Sequence, residues 1–478
     1  MKTKISFLIV LTFFALSALN GQTIVSVELL NSYTRTDLIL SFPGIYDNGV
    51  DEYKVVYNTV GVDGSPTVAS GAFYLPQGCD HFPMAAYLHG TVFDREDVPS
   101  RGFDLTGLRF AGYGYATIGP DYLGLGDSDI TIHPYHHSES TATASLDLMR
   151  AARTFIVDSL GLAHNGEVFI TGYSQGGHAA MATHKYIEEN NLLTEFNVLG
   201  SAPLSGAYDL VGTQSALPPD SSYIAPTYYP YLLESMQYAY GDIYTNTSEV
   251  YQEPWATTIN DYKNGTISIG AFGANLPNNL YHFLNPPYFD TFLADTIPPY
   301  TTPLRNALDL NSNHDWAPQR PVRMVYCTGD LQVNYQNALV AEANFIANGA
   351  TEAEAYLAVE GGNHGVCFNP AISTTIDWFD SKRTPCQEIP VSTTDLDYSE
   401  AIAIHPNPTT GFVQLNLTEL PSTKPIICRV LSMSGQVLSE QVLAGDMYPQ
   451  LHLDYPPGVY MLTLDNEAVS VKRKVVVF

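Results

Sequence analysis

The sequence predicts a mainly parallel α/β domain followed by a small all-β domain. From residue 53 to residue 386, short runs rich in β-branched and aromatic residues alternate with stretches of helical periodicity, which is typical of a doubly wound sheet. A polar segment near residue 387 then leads to short strands of alternating polarity, separated by Pro- and Gly-containing turns. We therefore expect an α/β domain over residues 22–386, a linker over 387–401 and a β-sandwich over 402–478.

Residues 1–21 have the pattern of a secretory signal peptide. Lys2 and Lys4 precede the apolar run ISFLIVLTFFALSAL, and small residues lie just ahead of Gln22. The alternative is a membrane anchor, for which this apolar run is short. Because no later segment of the sequence reaches spanning length, we expect an exported, soluble mature protein with no stable membrane span.

The elements of the α/β domain are predicted from the apolar pattern. Strands are expected over residues 53–60, 67–76, 83–90, 115–122, 167–173, 322–329 and 353–361, and helices over 138–160, 174–190, 334–349 and 372–380. Ser138 is a candidate N-cap for the first of these helices. This order of strands and helices indicates a sheet with helices on both faces.

The stretch from about residue 203 to about residue 318 interrupts this alternation. It is rich in Pro, Tyr and Asn, as in IAPTYYPYLLESMQYAYGDIY. One interpretation is a partly helical insertion that only packs on the core. We favour a lid that shapes a substrate pocket.

Charge and cysteine content limit the function classes. The chain carries 49 Asp and Glu against 21 Lys and Arg, a formal net charge of −28, so it would repel phosphate backbones and nucleic acid is not an expected partner. Five cysteines fit an exported protein with few disulfides. Their pairing does not follow from the sequence, although we favour a Cys367–Cys386 bridge because it would close a short loop. No C-x-x-C pair is present, so we expect no zinc site.

Ser174 is the candidate nucleophile. It lies in GYSQGG, at the junction between a predicted strand and a predicted helix. A nucleophilic serine needs a sharp turn that exposes its hydroxyl, and Gly172 and Gly176 remove side chains where strand and helix crowd together. The following helix directs its positive end towards the site.

The candidate acid and base follow later strands. Asp330 lies in TGDLQVN, directly after a predicted strand, whereas the nearby Asp309 and Asp315 do not follow one. His364 lies in EGGNHGVCF, where the neighbouring glycines leave room for an exposed, mobile imidazole. The order Ser174, Asp330, His364 is the order that the elbow motif requires. A turn or capping aspartate and an ordinary loop histidine are the alternatives.

An oxyanion hole would complete the site. We expect it to combine the backbone N–H of Gln175 with one from the loop after YLHG, where Thr91 is the first candidate and Gly90 the second. The side chain of Gln175 is expected to have no role, and His89 is interpreted as a brace for the loop.

Three histidines in GPDYLGLGDSDITIHPYHH raise the question of a metal. His133, His136 and His137 lack a clearly spaced further ligand. We therefore interpret them, with Asp121 and Tyr122, as pocket lining or as a hydrogen-bonded loop.

The motifs YLHGT, GPDYLGLG, GYSQGG, TGDLQVN and GGNHG together resemble the α/β-hydrolase superfamily. The long insertion between Ser174 and Asp330, with GYSQGGHAA, resembles the secretory lipase family of yeasts and their bacterial relatives. The resemblance covers about residues 50–385. It implies an α/β-hydrolase fold, hydrolysis of carboxylic esters, no cofactor and a lid built from the insertion. The superfamily often has Gly three residues before the acid, where this chain has Cys327.

The tail resembles a different family. IAIHPNPTTGFVQLNL, VLSMSGQVL, PPGVYMLTL and VKRKVVVF follow one another as in the C-terminal sorting domain of the type IX secretion system in Bacteroidota. The resemblance covers about residues 402–478. It implies export by the signal peptide, passage across the outer membrane by the type IX machinery, and a secreted or cell-surface location. A carbohydrate-binding sandwich is the alternative.

The sequence thus predicts a secreted serine esterase or lipase that acts on a small-molecule or lipid ester. A serine peptidase on the same fold is the first alternative, because one fold hosts several chemistries. A non-catalytic surface-binding protein is the second, although a scaffold would have little use for a correctly ordered triad.

Overall fold

The computed structural model describes residues 24–41, 46–102, 105–216, 222–388, 403–417, 426–432, 437–443, 448–466 and 469–478. The signal peptide predicted over 1–21 lies outside these ranges, as does all of the predicted linker after residue 388. The chain divides into two compact units, residues 1–389 and residues 390–478.

The first unit alternates strands with helices. Its strands are β1 (Ile24–Tyr33), β2 (Val50–Val60), β3 (Pro66–Pro76), β4 (Cys79–Leu88), β5 (Ala116–Pro120), β6 (Ala163–Tyr173), β7 (Asn197–Leu204), β8 (Val322–Cys327), β9 (Ala353–Val359) and β10 (Gln387–Glu388). Its helices are α1 (Arg35–Ser41), α2 (Thr106–Gly112), α3 (Ser138–Thr154), α4 (Gln175–Glu189), α5 (Tyr228–Tyr240), α6 (Thr247–Val250), α7 (Trp255–Lys263), α8 (Ile269–Gly273), α9 (Pro286–Ala294), α10 (Pro303–Leu310), α11 (Gln336–Ala347) and α12 (His364–Asp380).

These strands form one mixed sheet in the order β1-β2-β3-β5-β4-β6-β7-β8-β9, with β10 beside β4. The pairs β1–β2, β2–β3 and β3–β5 are antiparallel, and every pair from β5 to β9 along this order is parallel. The predicted mainly parallel sheet is confirmed. Parallel strands end at the same edge, so the loops after β4, β6, β8 and β9 meet there.

Helices cover both faces of the sheet, and successive side chains of each strand point to opposite faces, so both sets are buried. On β4, Met84 and Leu88 pack into a core that includes residues of α3 and α4, such as Leu148 and Ala180. Tyr87 packs into a second core, which includes residues of α2 and α12. Because helices pack on both faces, the strand ends are held in place, and with them the starting points of the loops at the carboxyl edge.

The predicted insertion lies between the end of β7 and the start of β8. It contains α5 to α10 and has its own apolar core, which includes Met236, Ile259 and Phe283. Ile132 and Tyr135, from the loop before α3, join this core. The insertion is therefore a small packed layer of helices rather than an extended loop.

Two local predictions were wrong. Helix α3 is capped by His137, whose side chain accepts the N–H of Ser140, so Ser138 is the first helical residue rather than the cap. Helix α12 begins at His364, eight residues before the predicted start, because the Asn363 side chain accepts the N–H of Val366 and nucleates the first turn.

The predicted Cys367–Cys386 disulfide was also wrong. The bridges are Cys79–Cys386 and Cys327–Cys367, each with a Cα–Cα distance of 5.9 Å. Spacing along the chain favoured the short loop, but pairing requires Cα atoms within about 7 Å in the fold. Cys428, in the second unit, is a buried free thiol.

The second unit consists of two antiparallel sheets among its described residues. Its strands are β11 (Ala403–His405), β12 (Phe412–Asn416), β13 (Ile426–Ser432), β14 (Val437–Leu443), β15 (Gln450–His452), β16 (Gly458–Asn466) and β17 (Val469–Val477), in the orders β11-β12-β15 and β14-β13-β16-β17. Val413 and Leu415 of one sheet share a core with Leu462 and Leu464 of the other. The predicted β-sandwich is confirmed.

Candidate active site

Ser174 occupies a strained turn between β6 and α4. Its backbone has φ 62° and ψ −117°, a conformation that side-chain-bearing residues rarely adopt. A Cβ on Gly176 would lie 1.9 Å from the Leu88 carbonyl oxygen, and one on Gly172 would lie 2.4 Å from the Gly176 carbonyl oxygen. Both flanking positions therefore require glycine, and their close packing holds the serine in its strained conformation.

Other strained residues lie around this turn. Positive φ angles occur at Tyr122, His136 and Ser205, with values of 72°, 61° and 42°. Ser205 follows the residue whose carbonyl accepts the Ser174 N–H at 2.9 Å. Strain of this kind persists where the surrounding structure over-determines the backbone, and it clusters at functional sites.

Asp330 and His364 form a hydrogen-bonded pair. His364 Nδ1 lies 2.6 Å from Asp330 Oδ2. Asp330 Oδ1 accepts the N–H groups of Gln332 and Val333, both at 3.0 Å, which fixes the orientation of the carboxylate. A carboxylate accepts the imidazole Nδ1–H, so His364 Nε2 carries the free lone pair.

His364 lies beside the residue that precedes Ser174. Its ring centroid is 5.0 Å from that of Tyr173, whose hydroxyl donates a hydrogen bond to the His364 carbonyl. Its side chain is only 14% exposed and the residue begins α12, so the prediction of an exposed loop imidazole was wrong. Within the described residues the Ser174 hydroxyl makes no hydrogen bond. Hydrogen bonds between a nucleophile and its base are often long in the free enzyme and shorten when substrate binds.

The alternative acids lie elsewhere. Asp309 and Asp315 are exposed, and Asp315 accepts a hydrogen bond from Asn348 at 2.7 Å. Asp330 is buried, which matches the environment of an aspartate that orients a histidine.

The predicted oxyanion donors adjoin Ser174. A Cβ on Gly90 would lie 3.8 Å from Ser174 Cβ and 3.3 Å from the Tyr173 carbonyl oxygen. Among the described residues, the N–H groups of Thr91 and Gln175 have no acceptor. The Thr91 hydroxyl bonds the Tyr135 hydroxyl at 2.9 Å, which anchors this loop. The arrangement leaves two backbone donors available next to the serine.

An apolar cavity, partly open to solvent, adjoins Ser174. Its lining residues come mainly from the insertion and from the loops at the sheet edge, and include Leu210, Leu232, Leu233, Phe292, Leu304, Leu308 and Val333. Pockets of this apolar character bind small molecules by burying their apolar parts.

The sequence matches the profile of the alpha/beta hydrolase family over residues 87–372, which is more than half of the chain. The chain belongs to the alpha/beta hydrolase family. Its tail matches the profile of the secretion system C-terminal sorting domain over residues 403–478. This hydrolase therefore carries a domain of the type IX sorting class, which implies export through that secretion machinery.

Solved structures support the same assignment. The rice cell wall degrading esterase LipA from Xanthomonas oryzae is 32% identical, with a TM-score of 0.66, and the match covers 76% of this hydrolase and 99% of LipA. Candida antarctica lipase A in its closed state is 13% identical, with a TM-score of 0.53 and coverage of 77% and 84%, a likeness of fold alone. Among proteins with curated functions, none matches the chain.

The Gln175 side chain of this hydrolase has a structural role that the sequence did not predict. Burial lowers the pKa of His133 to about 3, so its ring is neutral. His133 Nδ1–H donates to the Leu123 carbonyl at 2.7 Å, which leaves Nε2 to accept a bond from Gln175 Nε2 at 2.7 Å. The tautomer thus ties Gln175, the residue after Ser174, to the loop before α3.

Other polar residues near the site are held by hydrogen bonds, whereas the buried His136 Nδ1 has no partner among the described residues. Asp121 accepts bonds from the Ser70 and Ser100 hydroxyls at 2.5 and 2.6 Å, and His89 Nδ1 bonds the Gly90 carbonyl at 2.7 Å. His136 lines the cavity. Among the described residues no group of three or more His, Cys, Asp or Glu is placed to hold a metal ion, and none of the helices is long and apolar enough to cross a membrane.

Proposed function

We propose that the chain is a secreted carboxylic ester hydrolase that acts through Ser174, His364 and Asp330. The observation that carries the proposal is the 2.6 Å bond between His364 and Asp330, located beside the strained turn that presents Ser174. A nucleophile, a base and an orienting acid that meet at one sheet edge are what acyl transfer requires.

The reaction would proceed through an acyl-enzyme. His364 Nε2 takes the proton from Ser174 Oγ as this oxygen attacks the ester carbonyl, and Asp330 stabilises the resulting imidazolium. The N–H groups of Gln175 and Thr91, with Gly90 as the second candidate for the latter, donate to the developing oxyanion. His364 then protonates the leaving alcohol, and a water activated by the same imidazole releases the acid.

The cavity supports an ester with an apolar group. Its lining is largely leucine, phenylalanine and tyrosine, and Ser174 lies in its wall. Burial of an apolar chain in such a cavity contributes about 0.8 kcal/mol per CH₂ group. We assign the cavity to the acyl chain and the insertion to the role of a lid. The similarity to LipA, an esterase, favours ester over peptide bonds.

The export route would begin at the signal peptide over residues 1–21. The sorting domain would then direct the folded hydrolase across the outer membrane, so the ester would be met outside the cell. We place the domain boundaries at 22–386 for the catalytic domain and 402–478 for the sorting domain, joined by a linker over 387–401 whose first two residues, Gln387 and Glu388, form β10 beside β4.

The test uses the full chain, its Ser174→Ala variant and a matched Ser201→Ala control. Ser201 is a buried serine of the neighbouring strand β7. Its hydroxyl makes no hydrogen bond among the described residues and it does not line the cavity, so we expect its substitution to leave the site intact. Each protein is assayed on p-nitrophenyl esters of graded chain length and on peptide p-nitroanilides. We expect Ser174→Ala to lower ester kcat by at least about 10⁴-fold and Ser201→Ala to change it by less than about twofold.

Three outcomes would contradict the proposal. Ester turnover that survives Ser174→Ala would exclude Ser174 as the nucleophile. Peptide cleavage that greatly outpaces ester cleavage would favour a peptidase. Equal inactivity of the native chain and Ser174→Ala on every substrate would favour a non-catalytic scaffold.

A further inference from the structure

The Cys327–Cys367 disulfide connects the two segments that carry the acid and the base. Cys327 ends β8, three residues before Asp330, and Cys367 lies in the first turn of α12, three residues after His364. Residues three apart on a helix are neighbours on its surface, so the bridge is anchored one turn from the imidazole. Both sulfur-bearing residues are fully buried.

The same two segments also bond through their backbones. Gly329 N–H donates to the Gly362 carbonyl at 3.0 Å, and Gly361 N–H donates to the Thr328 hydroxyl at 2.7 Å. A Cβ on Gly329 would lie 2.4 Å from the Gly361 carbonyl oxygen, so no side chain fits between them. The acid loop and the base loop therefore form a single closely packed unit.

We infer that the Cys327–Cys367 disulfide is a positioning element for the Asp330–His364 pair. His364 begins α12, and the first turn of a helix has no preceding turn to hold it. Its position depends on the Asn363 cap, the backbone bonds between the loops and the disulfide. The inference rests on the proposed function, because the pair matters to activity only if His364 is the base.

The second disulfide provides a matched control. Cys79–Cys386 joins the start of β4 to the end of the unit, at the opposite end of that strand from the loop carrying Thr91. It spans 307 residues, whereas Cys327–Cys367 spans 40. The chain-entropy description gives the longer loop the larger stabilisation. We therefore expect removal of Cys79–Cys386 to cause the larger loss of stability and removal of Cys327–Cys367 to cause the larger loss of activity.

The experiment compares Cys327→Ala/Cys367→Ala with Cys79→Ala/Cys386→Ala in the full chain. Active sites are titrated with a fluorophosphonate so that kcat refers to reactive protein only. We expect the first pair to lower kcat by about 10- to 100-fold with KM changed by less than about twofold. The downfield NMR signal of the His364 Nδ1 proton should weaken or disappear. In the control pair, Tm falls while kcat and this signal stay as in the native chain.

If the first pair folds poorly, the single variants Cys327→Ala and Cys367→Ala, each of which opens the same bridge, take its place. A milder variant tests the junction between the acid loop and the base loop with the disulfide intact. Thr328→Val keeps the shape of the side chain and both disulfides but removes the acceptor of the Gly361 N–H. We expect kcat to fall several-fold with Tm nearly unchanged.

Three results distinguish this inference from the proposed function. Native kcat and an unchanged Nδ1 signal in Cys327→Ala/Cys367→Ala would overturn the positioning role of the disulfide while Ser174→Ala remains inactive, whatever the result for Thr328→Val. Equal losses of kcat in the two cysteine pairs would also overturn it, because the effect would then be general destabilisation. Ester hydrolysis by Ser174→Ala would overturn the proposed function instead.

Discussion

The carboxyl edge of the sheet and the insertion between β7 and β8 are built in different ways. At the sheet edge, backbone packs on backbone, as at Gly176, where a Cβ would lie 1.9 Å from the Leu88 carbonyl oxygen. In the insertion, side chains such as Met236, Ile259 and Phe283 fill the core. Backbone contacts hold atoms with the positional accuracy that catalysis requires, whereas apolar side chains in a core can be exchanged for others without loss of the fold. Under the proposed function, the chemistry and the substrate shape therefore lie in separately adjustable regions.

Histidines lie where the two regions meet. His137 packs against Tyr240 of α5 with ring centroids 5.7 Å apart, and His178 Nε2 bonds the Asn311 carbonyl at 2.8 Å. Burial lowers the pKa of each of these two histidines to about 4. Neutral imidazoles therefore form part of the contact between the sheet edge and the insertion.

The largest expected effect lies at the sheet edge, on Asp330→Asn. An asparagine keeps the shape but offers an N–H to His364 Nδ1, which favours the wrong tautomer, so kcat should fall by about 10⁴-fold with little change in KM. Asp309→Asn is the control, because Asp309 is exposed in the insertion. Steady-state kinetics on a p-nitrophenyl ester measure both. A large loss in the control with little loss in Asp330→Asn would make Asp309 the acid.

A smaller effect is expected from Leu304→Trp in the insertion. Leu304 lines the cavity, so an indole there should lower kcat/KM for a decanoate ester relative to an acetate ester by about tenfold. The control is Ile259→Ala, a core position outside the cavity lining, which should lower stability by about 2–5 kcal/mol without changing that ratio. An unchanged ratio in Leu304→Trp would show that the acyl chain binds elsewhere.

The smallest effect concerns the contact between the regions. Since the folded pKa of His137 is lowered to about 4, the unfolded chain binds a proton that the folded chain does not as pH falls below about 6.5. The contribution of the neutral His137 to the free energy of unfolding is therefore complete above about pH 6.5 and is lost on acidification towards pH 4. His137→Asn retains a capping side chain and should flatten this loss by up to about 1.4 kcal/mol per pH unit.

Urea unfolding of the native chain and His137→Asn across this pH range measures the difference. His81→Asn is the control, because the His81 side chain is 49% exposed. Parallel stability curves for the native chain and His137→Asn would contradict a neutral, buried His137.

The sequence by itself determined the features that depend on short stretches of chain. The spacing of the apolar residues was enough to predict the parallel sheet and the sandwich, because burial of a strand leaves a local pattern of apolar residues in the sequence. The sequence also predicted the elbow at Ser174 and the strands that precede Asp330 and His364. Connectivity at the carboxyl edge of a parallel sheet then implied that these residues meet.

Only the tertiary structure decided which distant atoms touch. The pairing of Cys327 with Cys367, the bond from Gln175 to His133 and the cavity wall all join parts of the chain that are far apart in sequence. Spacing favoured a short Cys367–Cys386 loop, yet a disulfide forms according to Cα distance in the fold. The start of α12 at His364 was missed for a related reason, because the glycines before it were interpreted as loop formers while the Asn363 cap was overlooked.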